Sequence, residues 1–414
     1  MTIVDADHTA QEILTAPSEL VSSQALENLK RFTPSGISSL DDMDLLASLG
    51  LLPHGHLTIA GLLLAGCEDA LGQIIPGFGW SYQYAPYDGK IVEFHEASCT
   101  ILEAVERLVS LISGHSPVFT IQRKDRSVDV YAYPAAALYQ ALWNAFGHRD
   151  LRLGRKIQVL QTADRVEIVS PGGLPGGITP DNIFHAPRQV RNLHLMQALS
   201  LLGLVGQAIP GIEQMIWAML ADGKEPPVIE AIEQEVRITL NGGAGLELWP
   251  VFIEEESGLG RSLNINHLLL LRHLLMSAEV DRDATALICQ CSEAEAIHLL
   301  SELSGWGYLR YGIVAGEEFW SLQPPIFPRL SSPSALIRQR QLYRMDLQRR
   351  VMALLRQAAK QGLPGVANAQ IRRLVRLRFG QVPRFMRDMM KTYPEIEMLD
   401  RGRSSVYRIK SPIS

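Results

Sequence analysis

One helix-forming segment carries polar side chains at a spacing that could support chemistry. Gln140, Asn144 and His148 recur every fourth residue, so on a helix they form a single polar stripe. Pro134 suits the first helical position, where its missing N–H group would be unpaired in any case. The rest of the segment is apolar, with a face made by Leu138, Ala141, Leu142 and Ala145. The spacing by itself predicts a polar stripe on an otherwise apolar helix, which an Asn and a Gln hydrogen-bonded inside a core helix would also give.

A predicted hairpin and a glycine-rich loop follow this helix. Residues 156–160 and 165–170 have strand-like composition and are separated by a turn at residues 162–164, which ends at Asp164. The chain then continues as Pro-Gly-Gly-Leu-Pro-Gly-Gly over residues 171–177. Four glycines, Gly172, Gly173, Gly176 and Gly177, leave backbone N–H groups free to approach an anion.

Taken together, these motifs resemble the GHKL-type ATP-binding module of Schlafen-like, AlbA-linked bacterial proteins, which is often described as a RecG-helicase-like C-terminal domain. The resemblance covers roughly residues 40 to 240. It is carried by Asn144-Ala145, His148-Arg149-Asp150, Asp164 to Ile168, residues 171–179, Arg191-Asn192 and residues 201–204, and by the leucine-rich segments 49–52 and 57–64. It implies an α/β sandwich core of the GHKL type, with ATP or ADP and Mg as the cofactor.

The resemblance also assigns roles to individual residues. It makes Asn144 the ligand of the magnesium ion, and it places Gln140, His148, Asp164, Gly211 and the four loop glycines in the nucleotide site. Gln140 stands where the family has its catalytic glutamate, and an amide cannot take a proton from the attacking water. At the lid before the last helix, Ile209-Pro210-Gly211 replaces the family's Gly-x-Gly. We therefore expect no catalytic residue and rank a binding-only or vestigial nucleotide site first, core amides second and a working ATPase last.

Composition limits the class of protein. The 414 residues are 47% hydrophobic and 20% charged, which is ordinary for a protein with sizeable cores. No apolar run approaches the roughly 18 residues that a membrane span needs. An acidic N-terminal segment makes a secretory signal unexpected. The four cysteines, Cys67, Cys99, Cys289 and Cys291, lack zinc-type spacing. They indicate reduced thiols in a cytoplasmic protein.

Charge is unevenly distributed along the chain. Residues 331–414 contain 18 Lys and Arg against 5 Asp and Glu, whereas the whole chain has a net charge of −5. A basic segment joined to an acidic body suggests a polyanionic partner, most obviously nucleic acid.

The pattern divides the chain into five parts. Residues 1–38 read as a flexible lead-in, 39–130 as the N-terminal α+β part of the core, and 131–245 as the degenerate nucleotide-binding module. Two units follow, 262–323 and 334–414, separated by a proline-rich linker. The predicted helices of the first are 264–277, 284–291 and 292–304, and those of the second are 346–361, 368–377 and 382–392. Each unit ends in a strand pair, at 308–314 with 318–322 and at 398–400 with 406–409, as in a winged helix.

The two units differ in the charge of their third helix. The first carries Glu293, Glu295 and Glu302, which would repel DNA, and so predicts protein contact or self-association. In the second, basic residues lie on the second and third helices and at the wing tip: Arg372, Arg373, Arg376, Arg384, Arg387, Lys391, Arg401 and Arg403. These predict binding to duplex DNA, against the alternative of a solvated basic face.

The sequence therefore predicts a DNA-binding regulatory protein whose degenerate ATP-binding-like core acts as sensor or scaffold. Two alternatives stay open: an ATPase that drives a nucleic-acid transaction, and an interaction subunit of a genome-defence or repair complex.

Overall fold

The structure is a computed structural model that describes residues 2–3, 7–87, 89–123, 126–184, 186–187, 189–206, 210–314, 317–399 and 405–410. It divides into two compact units, unit 1 from Met1 to Gly245 and unit 2 from Leu246 to Ser414. Both units mix helices with strands, which confirms the α+β class.

Unit 1 is built from nine described helices and twelve described strands. The helices are α1 (Pro17–Leu20), α2 (Ser23–Phe32), α3 (Asp42–Ser48), α4 (Ile59–Ala65), α5 (Glu68–Ile74), α6 (Ile101–Gly114), α7 (Ala135–His148), α8 (Leu193–Leu201) and α9 (Gly211–Ala221). The strands are β1 (Thr2–Ile3), β2 (Glu12–Ile13), β3 (Leu57–Thr58), β4 (Trp80–Tyr84), β5 (Glu93–Ala97), β6 (Val118–Arg123), β7 (Arg126–Tyr131), β8 (Ile157–Gln161), β9 (Arg165–Pro171), β10 (Gln189–Val190), β11 (Val228–Ile232) and β12 (Glu235–Asn241). The predicted helix after Pro134 and the predicted hairpin are confirmed as α7, β8 and β9.

A six-stranded sheet organises unit 1 in the order β11-β12-β9-β8-β4-β5. All neighbours are antiparallel except β4 and β8, which are parallel. Ile157, Val159, Val166 and Ile168 are buried in the core that the sheet shares with the helices. Helix α7 packs against β9, α6 and α9. The polar stripe of α7 is therefore held between the sheet and α9.

The N-terminal segment departs from the flexible lead-in predicted for residues 1–38. Leu20, Leu26 and Leu29 are buried in the core of unit 1, and α2 packs against α4 and α6. The amphipathic face of α2, hidden in a polar composition, explains the difference, because a few well-spaced leucines suffice to dock a ten-residue helix.

Unit 2 contains eight described helices and five described strands. The helices are α10 (Trp249–Gly258), α11 (Ile265–Ser277), α12 (Arg282–Cys289), α13 (Glu293–Gly305), α14 (Phe327–Leu330), α15 (Pro333–Lys360), α16 (Asn368–Val375) and α17 (Val382–Thr392). The strands are β13 (Leu309–Val314), β14 (Glu317–Leu322), β15 (Val366–Ala367), β16 (Ile396–Met398) and β17 (Val406–Ile409).

Two helix-rich halves follow one another in unit 2. The acidic half, residues 262–323, has α11, α12 and α13 followed by the β13–β14 hairpin, and Val280 bridges to Trp320 of that hairpin. The basic half, residues 334–414, has α15, α16 and α17 with a sheet in the order β15-β17-β16. Helix α15 begins at Pro333, thirteen residues before the predicted start at residue 346. Proline fits a first helical position, and Arg, Gln and Leu are good helix formers that extend the helix over the residues before 346.

Two further features concern the state of the cysteines and the length of the apolar helices. All four cysteines lie in the described ranges, and none of them forms a disulfide. Within the same ranges, no helix combines the length and the apolar character needed to cross a bilayer.

Candidate functional sites

Unit 1 contains a cavity of about 1030 Å³ beside the polar stripe of α7. Gln140, Asn144 and His148 all contribute to its wall. Further walls come from α8, the start of α9, the glycine-rich loop after β9, and the sheet residues Ile168 and Ile238. The structure brings Gly172 and Gly173 of the glycine-rich loop into the same cavity wall as the stripe.

The two amides of the stripe are closely covered by the first residue of α9. Asn144 Nδ2 donates a hydrogen bond of 2.7 Å to the backbone oxygen of Gln140. A Cβ atom at Gly211 would lie only 2.9 Å from both Asn144 Nδ2 and Gln140 Oε1. Gln140 Oε1 is buried and has no hydrogen-bond partner. Glycine at position 211 thus allows α9 to begin directly against the amide pair.

His148 ends the stripe as a neutral side chain. Burial, reinforced by the nearby Arg191 guanidinium, lowers the pKa of His148 to about 4. At neutral pH the imidazole therefore carries no charge and lines the cavity as a hydrogen-bonding group.

The His-Arg-Asp and Arg-Asn motifs act as a scaffold around the loop. Arg191 Nη1 donates to the His148 oxygen at 2.9 Å and Nη2 donates to the Gly173 oxygen at 3.0 Å. Asn192 Nδ2 donates to the backbone oxygens of Gly147 and Arg149, at 3.1 and 2.8 Å. These bonds tie the end of α7 to the glycine-rich loop.

Arg149 has a second structural role. Its side chain is 1% exposed and donates to the backbone oxygens of Gly77 and Arg155, at 3.3 and 2.6 Å. The guanidinium also lies 4.9 Å from the centre of the Phe78 ring. Burial lowers the pKa of Arg149 to about 10, so it stays a cation at neutral pH. The buried Arg149 guanidinium therefore holds the backbone carbonyls of Gly77 and Arg155 together.

Gly172 is required by this scaffold. Its φ of +106° lies in the region that favours glycine, and a Cβ atom there would lie 2.4 Å from Arg191 Nη1 and 3.0 Å from the Asp150 nitrogen. At Gly173, by contrast, the nearest atom to a Cβ would be the Glu233 oxygen at 3.7 Å.

Three predicted site residues lie outside the cavity wall. Asp164 is at the opposite end of the seven-residue strand β9, roughly 20 Å of extended chain from the loop. It accepts a hydrogen bond of 2.8 Å from Thr162 Oγ1, within the turn. Gly176 and Gly177 follow in the loop, where their oxygens accept hydrogen bonds from Gln189 and Asn182, and neither lines the cavity. The structure therefore does not bring these three residues to the amide pair.

Two cavity residues escaped the sequence analysis. Gln189 and His194 both line the cavity, and Gln189 Oε1 and His194 Nε2 are buried with no hydrogen-bond partner. Neither belongs to a motif or to a helical stripe, so no sequence signal marked them. With Gln140 Oε1, they make three buried polar atoms without a hydrogen-bond partner on residues that line the cavity, and such atoms require an explanation.

The fit of a magnesium nucleotide to this cavity is incomplete. Its volume is sufficient, and Gly172 and Gly173 bring backbone to the wall. However, the start of α9 lies directly beside the Asn144 and Gln140 amides, since a Cβ at Gly211 would be 2.9 Å from both. No lysine or arginine occurs among the described residues of the wall, and the described ranges contain no cluster of three or more His, Cys, Asp or Glu suited to a metal.

A second candidate site lies on α17 in unit 2. One face of this helix, made of Val382, Phe385, Met386 and Met389, is buried in the core of the basic half. Arg384, Arg387 and Lys391 are exposed on the other side. Asp388 pairs with Arg344 of α15 and, at 3.6 Å, with Lys391. The structure thus brings the three predicted cations of this helix onto one solvent-facing surface.

The remaining predicted nucleic-acid residues have different surroundings. Arg372 Nη2 lies 3.2 Å from Asp283 Oδ2 and 3.5 Å from Asp281 Oδ2 of the acidic half. Arg376 ends α16 with a φ of 52° and adds its charge to the burial that lowers the pKa of His273 on α11 to about 3. Arg373 is exposed. The wing-tip residues Arg401 and Arg403 lie outside the described residues.

Two of the three glutamates of α13 have structural partners. Glu295 and Ser292 form a capping box at the start of α13. Glu302 lies 2.9 Å from Nε2 of His267, which is 3% exposed. On this face Glu293 and the capping residue Glu295 are exposed, together with Ile297 and His298.

Comparison with known proteins is consistent with part of this description. Residues 154–240 match the family "Putative ATP-dependent DNA helicase recG C-terminal", which supports an ATP-binding-like module there. The match begins after α7, so Gln140, Asn144 and His148 are outside it. The fold is similar to the crystal structure of the DIP2311 protein from Corynebacterium diphtheriae, with a TM-score of 0.63 and 24% identity over 79% of this chain and 67% of that one. No curated protein sequence matches the chain significantly.

Proposed function

We propose that this chain is a DNA-binding regulatory protein in which the basic half of unit 2 binds duplex DNA and unit 1 acts as a sensor. The exposed cationic face of α17, with Arg384, Arg387 and Lys391, is the observation that carries the proposal. The order of elements in this half supports a winged-helix interpretation, in which the third helix enters the major groove. Helices α16 and α17 would then be the helix–turn–helix pair, and β16 and β17 would flank the wing.

The DNA contact is tested by replacing Arg384, Arg387 and Lys391 together with alanine. Each lost phosphate contact should lower the slope of log affinity against log salt by about 0.9, so the triple variant should lose up to about 2.7. At 100 mM salt we expect at least a tenfold loss of affinity, measured by fluorescence anisotropy with a labelled duplex.

A matched control removes the same charges from another helix. Arg338, Arg356 and Lys360 are exposed on α15, and their triple alanine variant has the same net charge as the α17 variant. If the control weakens binding as much as the α17 variant does, α17 is not the contact surface and only overall charge matters.

For unit 1 we propose a cavity that binds a nucleotide weakly or not at all and does not turn it over. Support comes from the unpaired atoms in the wall, from Gln140 at the position of the general base, and from α9 covering the amide pair. The test pairs calorimetric titration of ATP and ADP, with and without Mg, with a phosphate-release assay on the wild type, Gln140→Glu and Asn144→Ala. Robust wild-type hydrolysis that Asn144→Ala abolishes would refute the sensor role and favour the ATPase.

A contact with protein through α13 is a weaker proposal. Only Glu293 of the three glutamates lacks an assigned structural role, so Glu293→Lys with Ile297→Ser is the informative change. A sedimentation profile that this variant leaves unaltered would remove the proposal.

A further inference from the structure

The acidic half and the basic half of unit 2 meet through two arginines, Arg372, which the sequence assigns to DNA, and Arg378. Arg378 Nη2 lies 2.8 Å from Glu279 Oε2, and its guanidinium lies 5.4 Å from the centre of the Phe319 ring. Arg372 reaches Asp281 and Asp283 in the same way. Three carboxylates at alternate positions of the segment 279–283 therefore hold two arginines at the α16 end of the basic half.

Hydrogen bonds from side chains to backbone oxygens also cross this contact. Gln381 Nε2 donates to the Ser277 oxygen at 2.9 Å, and Arg340 Nε donates to the Leu275 oxygen at 2.6 Å. The Arg372 and Arg378 side chains remain 21% and 18% exposed, and Asp283 is 68% exposed. Asp283 is exposed, so its ion pair with Arg372 contributes little net stability, and exchanging that partner for another anion is energetically feasible.

The two arginines belong to the helix–turn–helix pair that the proposed function assigns to DNA. Arg372 lies on α16, and Arg378 lies in the turn that leads into α17. A phosphate offers an arginine the same bidentate geometry as a carboxylate. The acidic segment thus occupies groups that DNA phosphates would otherwise take, and its three negative charges repel a duplex that approaches the α17 face.

We propose that Glu279, Asp281 and Asp283 compete with DNA phosphates for Arg372 and Arg378, so that the DNA-binding surface includes a covered part beside the exposed face of α17. This inference rests on the proposed DNA-binding function. In the free protein, the ion pairs with the acidic segment withhold Arg372 and Arg378 from DNA and so lower the affinity of the protein for DNA. Weakening of the contact between the halves raises it.

The test neutralises the acidic segment while preserving shape, with Glu279→Gln, Asp281→Asn and Asp283→Asn combined. Asp281 also caps α12 by accepting from the Ala284 nitrogen at 2.7 Å, and asparagine caps a helix equally well. We expect this variant to bind a labelled duplex about five- to tenfold more tightly at 100 mM salt. Its salt slope should steepen by up to about 1.8, since two further phosphate contacts are made.

Two controls separate this effect from a change in net charge. Glu247→Gln, Glu254→Gln and Glu293→Gln combined remove the same charge elsewhere in unit 2, and this variant should show less than half of the gain. Adding Arg372→Ala and Arg378→Ala to the neutralised segment should return both affinity and slope to the wild-type values. If thermal melting shows that the triple variant is unfolded, Asp283→Asn alone replaces it, with an expected gain of about twofold.

The outcomes distinguish this inference from the function on which it rests. Unchanged or weaker binding by the neutralised variant, with an unaltered salt slope, would mean that the carboxylates orient the arginines and would overturn the competition. No binding by the wild type or by any variant would overturn the DNA-binding function itself. Tighter binding that Arg372→Ala and Arg378→Ala do not reverse would also refute the covered surface.

Discussion

Replacing Gly172 with alanine tests whether the glycine-rich loop is required by the fold or by a bound anion. The added Cβ atom would lie 2.4 Å from Arg191 Nη1 and 2.9 Å from Asp150 Cβ, at a backbone φ of +106°. Arg191 cannot give way without losing its bonds to the oxygens of His148 and Gly173. The substitution therefore strains the backbone and breaks the tie between α7 and the loop.

The expected destabilisation follows from these two effects. A residue with a side chain at such a φ costs about 1–3 kcal/mol. Hydrogen bonds from a charged donor are worth about 1.5–3 kcal/mol each, and part of this is recovered when water replaces the lost partner. We expect a total of about 4 kcal/mol for Gly172→Ala, which corresponds to a fall in Tm of roughly 10 °C for a unit of this size.

Gly173→Ala is the matched control, because it removes a glycine from the same loop. Its Cβ would meet nothing closer than 3.7 Å, so its Tm should change by no more than about 2 °C. Calorimetry of the full chain measures both variants without any ligand. In an Arg191→Ala background, the cost of Gly172→Ala should drop by about 2 kcal/mol, because the closest contact is gone. Equal melting of the two glycine variants would refute the scaffold interpretation.

Two further predictions concern the polar stripe. Gln140→Met removes a buried oxygen that has no hydrogen-bond partner. Urea unfolding should therefore show a free energy of unfolding that is unchanged or higher by up to about 2 kcal/mol. A decrease of more than about 1 kcal/mol would contradict the prediction, because it would mean that the oxygen has a partner. His148 has a pKa of about 4 in the folded chain against about 6.5 when unfolded, so the unfolded state binds more protons between these values. Stability should therefore fall by roughly 2–3 kcal/mol as the pH drops from about 6.5 to about 4. His148→Gln should remove that part of the pH dependence, and a pH profile identical to that of the wild type would contradict the assignment.

Local patterns predicted the elements well where one face is apolar and one polar. The bounds of α17 agree with the prediction, since Val382, Phe385, Met386 and Met389 repeat at helical spacing between charged residues. The start of α15 and the packing of α2 were missed for the opposite reason. Both segments look polar in sequence, and only their few buried residues show that they are ordered.

The candidate site was predictable in part. The stripe of α7 follows from helical geometry, and its place beside Gly172 follows from the resemblance. Gln189 and His194 could not be predicted, because a cavity wall depends on which loops the tertiary structure brings near α7. Asp164 was assigned by motif, but the length of β9 separates it from the cavity.

The sequence by itself determined the periodic features of this protein: the polar stripe, the positions of most helices and strands, and the basic character of residues 331–414. These features depend only on residues a few positions apart in the chain, so the sequence pattern alone shows them. Tertiary structure alone decided how those groups are used. Gly211 covers Gln140 and Asn144 from 67 or more positions away, and Asp281 pairs with Arg372 across a separation of 91. Such contacts arise only when separate elements pack, because packing sets whether an amide or an arginine faces solvent, a ligand or another part of the chain.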